Sequence, residues 1–302
     1  MGPLMLVDAA GLYFRAYYGV PETMTAPDGR PVNAIRGYLD MSAALIERRR
    51  PSKYIACLDL DWRPAFRVAL VPTYKAHRVA PDGVNEEIPD TLSPQIPLLL
   101  DVLRALGIEY TGYVGFEADD VIATLAAREP GPIEVVTGDR DLMALATENV
   151  TILYTAQGLA KLGVLGPDEV LAKYGVPAKH YADFAVLRGD PSDGLPGVKG
   201  VGEKTAAALV DRFGAIEDIV AAAEAGQDGF PAGASLKILA ARDYLMVAPD
   251  AVRGRTDVPL DPVDGTLPAG PADPAALDAL CAELGIEASV QRIRKAIAKA
   301  IG

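Results

Sequence analysis

Nine carboxylates fall into groups along the chain: Asp8; Asp59; Glu117, Asp119 and Asp120; Asp139 and Asp141; and, further on, Asp190 with Asp193. Hard divalent cations such as Mg²⁺ prefer oxygen ligands and usually keep several of their waters. So many acids gathered without cations would repel one another severely, and the pattern makes sense mainly as a metal site. On a helix, Glu117 and Asp120 share a face by their i,i+3 spacing. In Thr137-Gly138-Asp139-Arg140-Asp141, two acids one residue apart on a glycine turn can both point at a common ion. Two metals about 3.5–4 Å apart would hold a scissile phosphate, lower the pKa of an attacking water and stabilise the leaving oxygen. Taken singly, each group has a blander reading. Asp8 is then a turn or cap residue, Glu117-Ala118-Asp119-Asp120 is what a helix dipole favours, and Gly138-Asp139-Arg140-Asp141 is an ordinary turn.

A second signal is the run from Leu195 to Ala207, a glycine hairpin feeding a helix, with Gly197, Lys199, Gly200, Gly202, Lys204 and Thr205 as its chemistry-bearing members. Gly200 and Gly202 allow close approach to backbone amides, and the helix amino end favours an anion. A nucleic-acid phosphate is the natural guest, bound without regard to sequence. A dinucleotide fingerprint is the rival reading, but no apolar strand precedes the hairpin. Tight helix packing is the purely structural one. A third signal is Phe66-Arg67 with Tyr74-Lys75-Ala76-His77-Arg78. A cation beside the metals would stabilise charge on the scissile phosphate, and a tyrosine can stack on a base.

The elements that must position these residues follow from periodicity and punctuation. Residues 4–8 and 54–59 read as short buried strands ending on acids, and 133–137 as a third running into an acid-bearing turn. Helical spacing marks 33–49, stopped by Pro51, then 94–106, stopped by Gly107, and 117–128, which begins with acids; a short strand lies near 108–110. Residues 75–90 are polar and punctuated by proline, so they read as a mobile excursion. Strands alternating with helices imply a mostly parallel sheet covered on both faces, with ligands at its carboxyl edge. From about 166 the pattern is helical and rich in glycine turns. Residues 226–235 and 261–274 are loops, and a final amphipathic helix carries Arg292, Arg294, Lys295 and Lys299.

The 302 residues suffice for one large domain, or one with a smaller appendage. No stretch approaches a membrane span and the start is not a signal peptide, so the expected location is the cytoplasm. Cys57 and Cys281 suggest neither a disulfide nor zinc. The net charge of −12 argues at first against nucleic acid, but without the nine grouped acids it would be −3. With only two histidines, His77 and His180, a histidine-rich metal site or a Ser-His-Asp hydrolase fits poorly.

At these residues the sequence resembles the flap endonuclease and 5′-3′ exonuclease family, especially the amino-terminal nuclease domain of bacterial DNA polymerase I. The matching segments are Leu6-Val7-Asp8 with Arg15-Ala16-Tyr17, Leu58-Asp59, Phe66-Arg67, Tyr74-Lys75, Glu117 to Ala123, Thr137 to Leu142, Gly189-Asp190 through Thr205-Ala206, and Thr256 to Leu260. The resemblance covers nearly the whole chain. It implies a PIN-like α/β core over 1–165 with a helical arch at about 76–93. It further implies a helix-three-turn-helix DNA-binding element within 166–250, at about 180–215, and a 251–302 segment packing back on the core. By the same carry-over, Asp8, Asp59, Glu117, Asp119, Asp139, Asp141, Asp190 and Asp193 are metal-site acids for two or more Mg²⁺ or Mn²⁺ ions, and Asp120 matches the same helix motif. Lys75 matches the catalytic lysine, with Arg67, Tyr74 and Arg78 as phosphate or base contacts and Arg15 as a DNA contact. A K⁺ ion held by hairpin carbonyls at 198–202 is also implied. Ala9 replaces a usual glycine, Gly194 a common asparagine and Lys199 a common proline. An extra residue before Phe66 leaves Asp59 and Asp61 as alternative ligands, with Asp59 favoured because it ends the apolar strand.

The expected activity is structure-selective 5′-3′ exonuclease and 5′-flap endonuclease cleavage of DNA with 5′ ends, flaps or gaps, RNA primers on DNA being a further substrate, by a monomer. A PIN-like ribonuclease shares the acidic core but usually lacks the duplex-binding hairpin. A non-hydrolytic DNA-binding protein would keep the hairpin and a vestigial core.

Overall fold

The computed structural model describes residues 2–83 and 85–302; Val84, in the 76–93 excursion, lies outside the described residues, as does Met1. Strands β1 (Leu4–Asp8), β2 (Lys53–Cys57), β3 (Glu109–Thr111), β4 (Ile133–Thr137), β5 (Val150–Tyr154) and β6 (Gly163–Leu165) form one sheet in the order β3-β2-β1-β4-β5-β6. Neighbours run parallel except β6, which pairs antiparallel with β5 at the edge. The register sets Leu6 of β1 between Ile55 of β2 and Val135 of β4.

In chain order the helices are α1 (Ala9–Gly19), α2 (Asn33–Arg49), α3 (Ala65–Leu70), α4 (Gln95–Leu106), α5 (Ala118–Arg128), α6 (Pro167–Tyr174) and α7 (Tyr181–Arg188). They continue as α8 (Glu203–Phe213), α9 (Ile216–Glu224), α10 (Ala234–Ala240), α11 (Arg242–Leu245), α12 (Ala248–Val252), α13 (Pro274–Leu284) and α14 (Glu287–Ile301). Because strand side chains alternate, β1 feeds two cores at once. Leu4 and Leu6 join α5 and the helices from α7 to α12, with Val121, Phe184, Leu209 and Ile238 among the shared residues. Met5 and Val7 join α1, α2, α4, α13 and α14 on the other face, with Leu12, Leu39, Leu103 and Ile293. A strand buried on both faces reads as a continuous apolar run, which is what Leu4-Met5-Leu6-Val7 is.

The chain terminus is fixed to this frame by α14, which packs along α2 and adds the ion pairs Arg292–Asp40 and Lys299–Glu47. Helix boundaries follow local chemistry. Asp8 caps α1, accepting from the Gly11 amide at 2.8 Å. The left-handed Arg50 ends α2 just before Pro51, and the left-handed Gly107 ends α4.

Three expectations change. The strand expected over 54–59 stops at Cys57, so Asp59 lies on the loop beyond it. Strands β5 and β6 were not read from the sequence; both lie on the far side of the sheet from β3. The expected helical arch is not helical: among the described residues of 76–93 the only helical turn is a 3₁₀ turn at Ala76–Arg78. The chain there doubles back through a bridge between Val79 and Glu86, with the Glu87 amide donating to the Arg78 carbonyl at 2.8 Å. Pro81, Pro89 and Gly83 at φ +76° explain why an α-helix does not propagate there.

Helices α1 and α2 approach closely because Gly37 has no side chain. A Cβ there would lie 2.7 Å from the Ala16 Cβ and 2.8 Å from Val20 Cγ2. Gly37→Val is expected to lower stability by about 1–3 kcal/mol through overpacking. A urea titration would check this, and an unchanged midpoint would mean that the two helices separate freely.

Candidate active site

In an open parallel sheet, ligands bind beyond the carboxyl ends of the strands where the strand order reverses. Here that point lies between β1 and β4, and a cleft of about 800 Å³ opens there. Asp8, Asp59, Lys75, Arg78, Glu117, Asp119 and Asp139 line it together with Arg15. Asp8 is the last residue of β1, and its Oδ2 accepts from the Thr137 hydroxyl at 3.2 Å. The same hydroxyl accepts from the Asp139 amide at 2.9 Å, so Thr137 ties the ends of β1 and β4 together. Glu117 caps α5, and Asp119 lies in its first turn. Asp139 in turn accepts from the Asp141 amide at 2.9 Å.

The electrostatics are those of a crowded cleft. Burial, the charge on Asp139 and then that on Asp8 hold the Asp119 carboxyl well above the usual carboxylate range. Burial and Asp139 also raise Asp8, against hydrogen bonds from Gly11 and Thr137. Burial with Glu117 pushes Asp59 up to about 8. Asp141 is raised by burial and by Asp139, Asp193 and Asp190. Burial raises Asp193 too, while Lys75 and Arg78 oppose that rise. Asp139 therefore stands between two acidic groups, one toward Asp8 and Asp119 and one toward Asp141 and Asp193.

Among the described residues, no three His, Cys, Asp or Glu side chains converge into a ready-made coordination sphere. The donor set nevertheless fits hard ions that retain part of their water, because it is all oxygen. The Asp59 Oδ1 and Asp141 Oδ1 atoms are moreover buried without a hydrogen-bond partner.

Three expected site residues are placed elsewhere. Asp120 is fully buried behind the cleft, where its oxygens accept from Arg67 Nη1 and Nη2 at 2.7 Å each and from the Arg255 amide at 2.8 Å. With both oxygens engaged it is a structural anion, which corrects its expectation as a metal ligand. Arg67, 2% exposed, also reaches Glu117 Oε2 at 2.7 Å and donates to the Ala251 carbonyl at 2.8 Å. It braces Glu117 from behind and does not face a phosphate. Tyr74 is buried too, its hydroxyl donating to Glu117 Oε2 at 2.8 Å, so its ring is not free to stack on a base.

Lys75 lines the cleft as expected, with Nζ on Glu117 Oε1. Its backbone is left-handed at φ +46°, a conformation costly for a non-glycine residue and typical of functional positions. The surrounding contacts hold it there. The Lys75 amide donates to the Asp193 carbonyl at 2.9 Å, and the Thr73 hydroxyl to the Gly194 carbonyl at 2.7 Å. A Cβ on Gly194 would lie 2.1 Å from the Thr73 carbonyl oxygen, so the glycine permits this docking. Asp190 is held by Arg140 and Arg188, each at 3.0 Å. Arg78 reaches Asp193 at 3.0 Å. Between Asp59 and Asp61, Asp59 lines the cleft, whereas Asp61 accepts from the Arg63 amide at 3.2 Å.

The hairpin lies apart from this cleft. Gly197 packs on the end of α7, where a Cβ would meet the Gly189 nitrogen at 2.6 Å. Lys199, Gly200, Gly202 and Lys204 are exposed and Thr205 is half-buried, with Gly202 capping α8. The hairpin carbonyl of Gly200, expected to help hold K⁺, accepts from Lys237 Nζ at 2.7 Å. Sequence reasoning missed Lys237, and it also missed Glu86, Phe14 and Tyr18 in the cleft wall. Glu86 lies in the proline-punctuated excursion, where no periodicity signals its direction. Phe14 and Tyr18 were legible as an i,i+4 pair on α1.

Raised carboxyl groups hold protons that the unfolded chain has shed above the ordinary value of 3.8, so the ion-free fold should weaken as pH rises toward about 8. In EDTA, Asp119→Asn is therefore expected to be more stable than the parent at pH 8 by about 1–2 kcal/mol, since it removes one repelling charge. Adding Mn²⁺ should raise the Tm of the parent more than that of the variant. Thermal melts at pH 5 and pH 8 with and without the ion would check both, and identical melts would remove the repulsion from the account.

The family model described as 5′-3′ exonuclease, N-terminal resolvase-like domain, matches residues 3–175, and that described as 5′-3′ exonuclease, C-terminal SAM fold, matches residues 176–274. The chain is similar to a 5′-3′ exonuclease of Streptomyces coelicolor, with 51% identity over 295 residues covering 96% of this chain and 98% of the relative. It is similar as well to a 5′-3′ exonuclease of Mycobacterium tuberculosis, with 48% identity over 311 residues and 98% of each chain covered. Among solved structures, T5 5′-exonuclease with bound zinc ions superposes with a TM-score of 0.64 at 19% identity, covering 99% of this chain and all of that one, so the two chains share a fold.

Proposed function

The chain belongs to the 5′-3′ exonuclease family, and on that premise we propose that it is a structure-selective, divalent-metal-dependent nuclease that cleaves DNA at 5′ ends, flaps and gaps. The observation that carries this reading is the single cleft at the β1–β4 switch point, where Asp8, Asp59, Glu117, Asp119 and Asp139 face the cation Lys75. The acids on the two sides of Asp139 would hold two or more Mg²⁺ or Mn²⁺ ions, with Asp141 and Asp193 forming the second group and Asp190, both of whose oxygens are engaged by Arg140, Arg188 and Ser192, supporting it from behind. Bound there, such ions supply Lewis acidity and a lowered water pKa.

The chain's own residues then have separable tasks. Glu117 is oriented by Arg67 Nη1, the Tyr74 hydroxyl and Lys75 Nζ, so its position does not depend on ligand. Lys75 is the cation of the set that borders the cleft, its Nζ on Glu117 Oε1, where its charge would oppose negative charge building on a scissile phosphate. Arg15, whose Nε is buried without a partner, and Arg78 offer further contacts for backbone phosphate.

Duplex is gripped away from the chemistry by the hairpin, with exposed Lys199 and Lys204 beside the amino end of α8. The α7–hairpin–α8 unit is read as the helix-three-turn-helix element of a region spanning 166–250, between a nuclease core over 1–165 and a carboxyl-terminal segment over 251–302. RNA primers on DNA suit the same cleft, because the backbone and the 5′ end are what it would recognise. No described helix is long and apolar enough to cross a membrane. A monomer acting in the cytoplasm completes the proposal.

Cleavage of a 5′-flap DNA and a matched single strand, with products mapped in EDTA, Mg²⁺ and Mn²⁺, tests this reading. Metal-dependent cutting near the flap junction is expected, and Asp141→Ala should abolish it. Lys75→Ala should slow single-turnover cleavage by roughly 10²–10³-fold while leaving flap affinity nearly unchanged, as for loss of a transition-state contact. Tight binding without cutting in any metal would instead make the chain a DNA-binding relative without chemistry.

A further inference from the structure

The turn at the tip of the hairpin is closed by a hydrogen bond from the Val201 amide to the Val198 carbonyl at 2.9 Å, with Gly200 left-handed at φ +78°. This is the arrangement of a type II turn, which requires a positive φ at its third residue. Its outward-facing carbonyl, that of Gly200, receives the ammonium of Lys237 at 2.7 Å. A Cβ on Gly200 would lie 3.1 Å from Lys237 Nζ, so the turn and the lysine stand in direct contact. Lys237 belongs to α10, 37 residues further along the chain. Ala234 and Ile238 of α10 share their core with Val198 and Val201 of the hairpin. The lysine is thus carried by an element packed into the same core as the turn.

A K⁺ ion and an alkylammonium are both monovalent cations that satisfy carbonyl oxygens. At one carbonyl they are alternatives, because an ion on the Gly200 oxygen would stand beside Nζ and be repelled by it. The residues present therefore do not fit the K⁺ implied by the family resemblance.

We propose that Lys237 is the built-in counter-cation of the DNA-binding hairpin, its ammonium occupying the Gly200 carbonyl in place of a bound alkali ion and holding the turn in its binding shape. The inference rests on the reading of the hairpin as a duplex-binding element. Lys237 acts as a positioning residue, through the turn. A tethered cation is present at any salt composition, so the grip on duplex becomes indifferent to which monovalent ion surrounds the protein.

The test uses the full chain and two readouts in KCl, NaCl and choline chloride at equal ionic strength, with EDTA present so that nothing is cut. Hydrogen exchange over residues 198–206 reports the turn, and fluorescence anisotropy with a labelled 5′-flap duplex reports binding. For the parent chain, exchange and Kd should change by less than about twofold among the three salts, because screening is the same in each. Lys237→Met keeps the aliphatic stem and removes the charge. It should exchange faster over 198–206 in choline and bind the flap about fivefold more weakly, the order expected for losing one charge-assisted hydrogen bond. KCl should restore part of both losses, because the vacated carbonyl can then accept an ion. A parent chain whose exchange depends on K⁺ would overturn the proposal, as would a variant that matches the parent in choline. Should neither protein bind the flap in any salt, the reading of the hairpin as a duplex grip falls, while the exchange data still decide the role of Lys237.

Discussion

Like charges gathered in a poorly solvated cleft are the constraint on which the rest of the molecule depends. Asp8, Asp59, Asp119 and Asp141 all have carboxyl groups raised by burial and by neighbouring acids, chiefly Asp139 for three of them and Glu117 for Asp59. A protein can keep such a cluster only if its backbone is rigid and cations stand close by. Both conditions are met here. Two of the acids cap or open helices whose amino ends favour negative charge: Asp8 on α1 and Asp119 on α5. The doubly buried strands β1 and β4 hold the peptide backbone beneath them.

The cations are divided by burial. Arg67 is withdrawn into the protein, where it neutralises Asp120 and braces Glu117 without touching the cleft. A buried pair of this kind adds little net stability over an apolar replacement, but losing one partner would strand a charge. Its value lies in fixing the start of α5, and with it the directions of Glu117 and Asp119. Lys75 does the complementary task at the cleft wall. Its left-handed backbone is maintained by the loop carrying Asp190 and Asp193, which reaches it through backbone contacts at Thr73 and Gly194. The helical region and the sheet therefore meet at the cation that borders the acidic cleft. The same region supplies the hairpin, whose geometry Lys237 completes from a third element.

Much of this was legible in the sequence, for reasons that differ between residues. Strand β1 was readable because both of its faces are buried, which forces an unbroken apolar run, and β4 because β-branched residues flank its single buried acid, Glu134. Helix α5 announced its start because Glu117, Asp119 and Asp120 crowd its first turn. Strands β5 and β6 were not read, although Val150-Thr151-Ile152 carries the β-branched signal that marks β5. The excursion at 76–93 could be read as polar and interrupted, but the bridge between Val79 and Glu86 depends on pairing that composition does not encode.

What the sequence by itself determined was the inventory: which acids follow which strands, where helices begin, and that a glycine turn precedes α8. These are local properties, set by burial period, capping and φ preference within a few residues. What only the tertiary structure decided was the assignment of roles among residues of the same type. Asp119 and Asp120 are adjacent in sequence, yet one borders the cleft and the other is sealed against Arg67. Arg67 and Lys75 both read as cations near a phosphate, and only Lys75 reaches the cleft. Asp59 and Asp61 separate in the same way, the first into the cleft and the second onto the Arg63 amide. Lys237 had no local signal at all, because its partner carbonyl is 37 residues away. The physical reason is that the role of a charge is set by what faces it in the fold: for Asp120, Lys75 and Lys237 that partner comes from a distant segment, and only Asp61 is claimed by a neighbour two residues away.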